Sequence, residues 1–109
     1  MGVTLERHPA VVATDLPAIY RLIARDDSAA AERVLDAVEA TFDQLILQPE
    51  CGMRYRTGNR KLTAVRMLPV IGFQNYLVFH RVEKEVIRIL YVLHGSRHLT
   101  QFFRSEPRL

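Results

Sequence analysis

What the chain lacks narrows its class. Its 109 residues include one cysteine, Cys51, so no internal disulfide can form, and a reducing cytoplasm is the expected location. No stretch approaches the ~20 apolar residues that cross a bilayer, and no membrane association is expected. The first residues, Met1-Gly2-Val3-Thr4-Leu5-Glu6-Arg7, do not have the basic-then-apolar layout of a secretory signal. A glycine-rich phosphate loop and a nucleophile elbow are both missing, which removes the common nucleotide-binding and serine-hydrolase readings. His94 and His98 have a spacing that suits a zinc site on a helix, but Gly95 interrupts it and no third ligand lies near. Neither a metal nor a cofactor is therefore expected. Cys51 has no companion base in sequence reach and reads as incidental. There is no internal repeat, low-complexity tract or linker, so residues 1–109 are read as one domain.

What is present is apolar material for one core, 49% of the chain, and an uneven distribution of charge. Residues 1–50 hold four basic residues against nine acidic ones; residues 51–109 hold eleven basic residues against Glu83, Glu85 and Glu106. A net charge of +3 thus hides an acidic half and a basic half. One reading is a basic face that meets an acidic partner or nucleic acid; the other is two solvated charge sets.

Val3–Arg7 is a short candidate edge strand that stops near Pro9. In Ala10–Ala24 the residues Val11, Val12, Leu16, Ile19, Leu22 and Ile23 recur at helical spacing. Pro17 either kinks that helix or, with Asp15 as cap, opens a fresh one. Asp26-Asp27-Ser28 supplies N-caps for a second helix over about Ala29–Leu47, with Ala31, Val34, Val38, Phe42 and Leu45 as its buried stripe. Pro49 and Gly52 end it. Residues 49–61, PECGMRYRTGNRK, form a long loop in which Arg54, Arg56, Arg60 and Lys61 flank Tyr55. That composition suits a phosphate backbone with base stacking, or an ordinary exposed loop.

Leu62–Leu68 is the next strand candidate and Pro69–Phe73 a connection. Tyr76–Val82 and Val86–Leu93 are dense in β-branched and aromatic residues, and the charged Glu83-Lys84-Glu85 between them predicts a hairpin. His98–Arg104 is a last short helix or tail. Helices first and strands afterwards give an α+β domain, with a helical hairpin packed on a small antiparallel β-sheet.

The chemistry-bearing residues gather in the second half. Arg66 and Arg81 lie on predicted strands; each serves an active surface, faces solvent, or pairs with a carboxylate. Beyond the last strand, Gly95 is a flexible joint between His94 and Arg97. His94 suits general acid–base work near neutral pH, or a hydrogen bond that closes the sheet edge.

Three motifs carry a resemblance: Arg66-Met67-Leu68-Pro69, then Tyr76-Leu77-Val78-Phe79-His80-Arg81-Val82, then Leu90-Tyr91-Val92-Leu93-His94-Gly95-Ser96-Arg97. Upstream, Ala29-Ala30-Ala31-Glu32-Arg33-Val34-Leu35-Asp36 is followed by Phe42, Leu45 and Pro49. In order and spacing these resemble the RelE/ParE superfamily of bacterial toxins over roughly residues 10–104. They lie closer to the ParE branch of plasmid-stabilisation toxins in type II toxin–antitoxin systems. The resemblance implies that the N-terminal strand joins the sheet and that a short C-terminal helix ends the fold. It implies a toxin that arrests growth by binding DNA gyrase and blocking replication. It also implies a cognate ParD-like antitoxin, acidic and folding as it binds, with a homodimer or a hetero-oligomer with the antitoxin as the assembly.

The alternatives are a RelE-like endoribonuclease that cuts messenger RNA on the ribosome, and an inactive toxin-fold binding module. A ribonuclease would use Arg66, Arg81, His94 and Arg97 on the phosphate. Phe102 and Phe103 stand in the tail where many ribonuclease members place a tyrosine or histidine. Phenylalanine stacks on a base but transfers no proton, so the reading leans toward a binding toxin and leaves the enzyme open, with His94 or His80 able in principle to supply the proton transfer. Its target-binding surface is expected from Arg66, Arg81, His94, Arg97, Phe102, Phe103 and Arg104. An exposed apolar strip is expected on the Ala10–Leu47 helices or near Phe102–Phe103.

Overall fold

The computed structural model describes residues 2–106 and 108. Strand β1 (Thr4–Arg7) leads into a π-helical turn, Val11–Asp15, which continues as α1 (Leu16–Ala24). The amide of Leu16 bonds back to the carbonyl of Val11, a wide turn tolerated where Pro17 offers no amide of its own. Pro17 therefore neither breaks the helix nor restarts it behind an Asp15 cap: Asp15 makes no capping bond, and its carboxylate is used elsewhere. Helix α2 (Ser28–Leu47) begins where Asp27 Oδ1 accepts from the Ala30 amide at 3.1 Å. Its predicted stripe of Ala31, Val34, Val38, Phe42 and Leu45 is buried throughout.

The strands β2 (Met53–Arg54), β3 (Arg66–Val70), β4 (Phe73–Glu83) and β5 (Val86–His94) complete a five-stranded sheet in the order β1-β5-β4-β3-β2, and α3 (Leu99–Arg104) follows. The fold is α+β, as the sequence predicts. The sheet is antiparallel except at one place: β1 runs parallel to β5, with Thr4–Arg7 opposite Val86–Ile89. The β4–β5 turn is Lys84-Glu85, with Lys84 at φ +57°.

The third strand lies later in the chain than predicted. Leu62–Val65 is irregular, with Ala64 at φ +57°, and the strand continues through Pro69. Proline is admitted there because β2 ends opposite Arg66 and Met67, leaving the sheet edge open beyond, and because the β3–β4 register shifts between Pro69 and Val70.

Both faces of the sheet are covered. On one, α1 and α2 pack on Leu68, Val70, Val78, Ile87, Ile89 and Val92. On the other, the loop around Leu62 and Val65 and helix α3 pack on Phe79, Leu90, Tyr91 and Leu93. A bulge in β5 lets one strand serve both. Phe79 pairs with Tyr91 but His80 pairs with Ile89, so Leu90 is an extra residue. Leu90 and Tyr91 consequently point into the same second core, and the alternation resumes with Val92 toward the helices.

Candidate functional site

The exit of β5 is built around an unpaired strand edge. Strand β1 ends opposite Ile89, where the His8 amide donates to the Ile89 carbonyl at 2.8 Å. Beyond that point side chains replace the missing strand. Asp15, buried at the π–α junction, accepts from the Val92 amide at 3.0 Å. Arg108 donates to the Leu90 carbonyl at 3.1 Å and grips both oxygens of Asp15. Only 4% of the Asp15 side chain and 12% of that of Arg108 meets solvent, so this is a buried, bidentate ion pair. The Arg108 guanidinium also lies 4.3 Å from the Tyr91 ring centroid. The Tyr91 hydroxyl accepts from the Arg108 amide and donates to the Glu106 carbonyl. Burial first, and Glu106 and Asp15 in addition, push the Tyr91 phenol above its ordinary pKa; the Arg108 amide and guanidinium pull it back.

His94, Arg97 and Phe102 line a cavity of about 370 Å³ over this edge, together with Asp15 and Arg108. His94 Nδ1 accepts from the Ser96 amide at 3.0 Å, and its ring stands edge-on to Tyr76 with centroids 5.0 Å apart. The Arg97 guanidinium sits 4.8 Å from the Phe102 centroid.

The other end of the sheet is organised by a buried histidine. His80 is fully enclosed on the helix face, and its Nε2–H donates to the Pro49 carbonyl at 3.1 Å. Its Nδ1 has no partner among the described residues. Burial lowers its pKa, with the nearby Arg66 cation acting in the same direction and the Pro49 bond opposing. Gly52 makes this packing feasible: a Cβ there would stand 2.8 Å from His80 Cε1 and 2.9 Å from the Met67 carbonyl oxygen. Arg66, in register with His80 on the same face, donates to the Gly52 carbonyl at 2.7 Å and the Glu50 carbonyl at 3.2 Å. Arg81 lies on the opposite face, bonded to Glu83 at 3.1 Å and to the Thr63 carbonyl at 3.3 Å.

The loop between β2 and β3 is held by polar pins. Buried Thr57 donates to the Leu62 carbonyl at 2.9 Å and accepts from the Asn59 amide at 3.0 Å. Asn59 accepts from the Lys61 amide and reaches across to the Phe103 carbonyl at 2.8 Å. Gly58 turns the chain at φ +79°.

The model for the ParE toxin of parDE type II toxin–antitoxin systems matches residues 8–99. The chain belongs to the ParE toxin family. A solved structure described as the chromosomal ParDE toxin–antitoxin system from P. aeruginosa superposes with a TM-score of 0.68 at 19% sequence identity, covering 84% of this chain and 95% of that one. That likeness supports the fold. No curated protein matches.

In this ParE-family chain the sequence-predicted site residues divide into separate groups. His94, Arg97 and Phe102 come together at the β5 exit. Arg81, near the far end of β4, and Arg66, on β3 opposite His80, lie on opposite faces. Arg81 is five residues along β4 from Tyr76, the residue opposite His94, or roughly 17 Å at strand rise. Arg104 is exposed in the last turn of α3. Phe103 is not a surface residue: it is fully buried and packs edge-to-face with Tyr55, Phe79 and Tyr91, so it anchors α3. The helical region exposes single apolar residues, Val12, Leu22, Ile46 and Leu47, the last by 82%, with Leu22 and Leu47 at opposite ends of the hairpin.

Sequence reasoning missed Arg108, the carboxylate role of Asp15, and the pinning by Thr57 and Asn59. No local pattern reveals a pair 93 residues apart. The Thr57-Gly58-Asn59 run does carry turn chemistry that points to an ordered loop.

Proposed function

We propose that this ParE-family chain acts in the cytoplasm as a growth-arresting toxin that binds DNA gyrase, and that a cognate antitoxin neutralises it. The observation that favours a protein-binding mode over RNA cleavage is the dispersal of the four phosphate-handling candidates. Arg66 is engaged with backbone carbonyls and Arg81 with a carbonyl and the Glu83 carboxylate, on opposite faces and far from His94 and Arg97. A general acid–base pair must reach one scissile phosphate at hydrogen-bond distance, and this arrangement does not bring such groups together. The antitoxin reading draws support from the exposed Val12, Leu22, Ile46 and Leu47 on the helical hairpin, apolar groups suited to a segment that folds as it docks.

The test is induced expression without antitoxin, alongside gyrase supercoiling with purified toxin. The expected result is early loss of thymidine incorporation, filamentous cells and inhibited supercoiling. Early loss of leucine incorporation with cut ribosome-bound messages would replace this reading with the ribonuclease one.

A further inference from the structure

A second feature lies apart from the β5 exit. From Cys51 to Val82 the chain contains no Asp or Glu, yet it carries Arg54, Arg56, Arg60, Lys61, Arg66 and Arg81. Three of these, Arg54, Arg56 and Arg66, line one cavity of about 470 Å³ with Tyr55. Arg54, Arg56, Arg60 and Lys61 are exposed, and none forms a side-chain hydrogen bond or ion pair among the described residues. The Tyr55 ring is fixed edge-on between Phe79 and Phe103, and its hydroxyl has no bonded partner among those residues. The cavity's one carboxylate, Glu50, has 72% of its side chain in solvent and stands 4.0 Å from Arg66, too loose to neutralise the group.

We propose that this cavity is a binding site for the phosphodiester backbone of DNA. Like charges converging around one opening repel each other, and a multivalent anion relieves that repulsion. Guanidinium groups present paired donors that match phosphate oxygens, and several around one opening suit phosphate better than single carboxylates. Thr57, Gly58 and Asn59 fix the path of the loop, and Asn59 ties it to α3. The backbone that carries the cations is thus held in place, and the ordering entropy lost on binding is mainly that of their side chains. The acidic half of the chain repels DNA, so the protein is oriented with this end toward the duplex. The choice of DNA rests on the gyrase reading, since the substrate of gyrase is duplex DNA.

The test uses the full chain without gyrase, so it is independent of whether supercoiling is inhibited. Fluorescence anisotropy with a labelled duplex of about 20 base pairs is followed as salt rises from about 50 mM. Arg54→Ala/Arg56→Ala is compared with Arg21→Ala/Arg25→Ala on the helical hairpin, both checked for native circular dichroism. The expected result is salt-dependent duplex binding that the first variant weakens about tenfold or more, with the salt slope reduced by about two, while the second stays within about twofold. No binding at low salt, or equal loss in both variants, overturns the proposal. So does a preference for single-stranded RNA, or for an acidic peptide, of about tenfold or more over duplex DNA. If duplex binding behaves as expected but supercoiling is untouched, the site stands and the gyrase reading fails.

Discussion

The two faces of this sheet are covered by different means. Helices α1 and α2 cover one face with long amphipathic surfaces, and a continuous stripe from Ala31 to Leu45 makes the core. The other face is covered by a loop and a six-residue helix, too short to be stable alone. Its core is an aromatic cluster of Tyr55, Phe79, Tyr91, Phe102 and Phe103, in which Phe103 contacts the other four edge-to-face. Apolar area secures the helix face. The loop face relies on a few aromatic rings and polar pins, and its loop carries Arg56, Arg60 and Lys61, exposed and without a side-chain partner among the described residues. Apolar area is thus concentrated on one side of the sheet, while the cations gather at its β2–β3 edge and reach both faces.

Four substitutions break or sharpen that contrast. Asp15 and Arg108 tie the two sides together, so Asp15→Ala, which leaves Arg108 buried and unpaired, is expected to cost about 3–5 kcal/mol by urea unfolding. Gly52→Ala attacks the end of the helix face. Its Cβ would meet a backbone carbonyl that cannot move cheaply, and a loss of about 2–3 kcal/mol is expected. Asn59→Ala removes a pin from the loop face and is expected to cost about 1–2 kcal/mol. Hydrogen exchange should rise in residues 55–65 and α3 and remain unchanged in α2; equal acceleration in α2 would mean that the faces do not open separately.

The smallest effect is on pH dependence. Burial holds the His80 imidazole below the ordinary 6.5, so below that pH the unfolded chain binds the extra proton. The stability contribution is full above pH 6.5 and is lost as pH falls below it. His80→Gln keeps a donor for the Pro49 carbonyl and should flatten the decline in stability between about pH 7 and pH 5. An unchanged slope would place the acid sensitivity in other groups.

The helix face is legible in the sequence because its signals are local: an Asp27 cap, a period of 3.6 and a terminating proline. The β4–β5 hairpin is legible for the same reason, through β-branched runs on either side of a charged turn. The loop face is not. Leu62–Val65 has strand composition, yet Thr57 takes the Leu62 carbonyl and Ala64 adopts a positive φ, so tertiary bonds override propensity there. Phe103 is apolar beside the partly exposed Phe102, and only the second core decides which ring turns inward. The exit cluster of His94 and Arg97 follows from motif order. Its anchor, Arg108 on Asp15, depends on contact between the two ends of the chain.

The parallel pairing of β1 with β5 also sets an order of events in folding. Thr4–Arg7 must wait for Val86–Ile89, and Asp15 must wait for Arg108, so the first strand made is the last to find its place. Such distant closures slow folding. The helical hairpin and the β4–β5 ribbon need only contacts between neighbours in sequence, whereas the far edge of β5 stays open until β1 reaches it. The domain closes by joining its earliest strand to the last strand of its sheet.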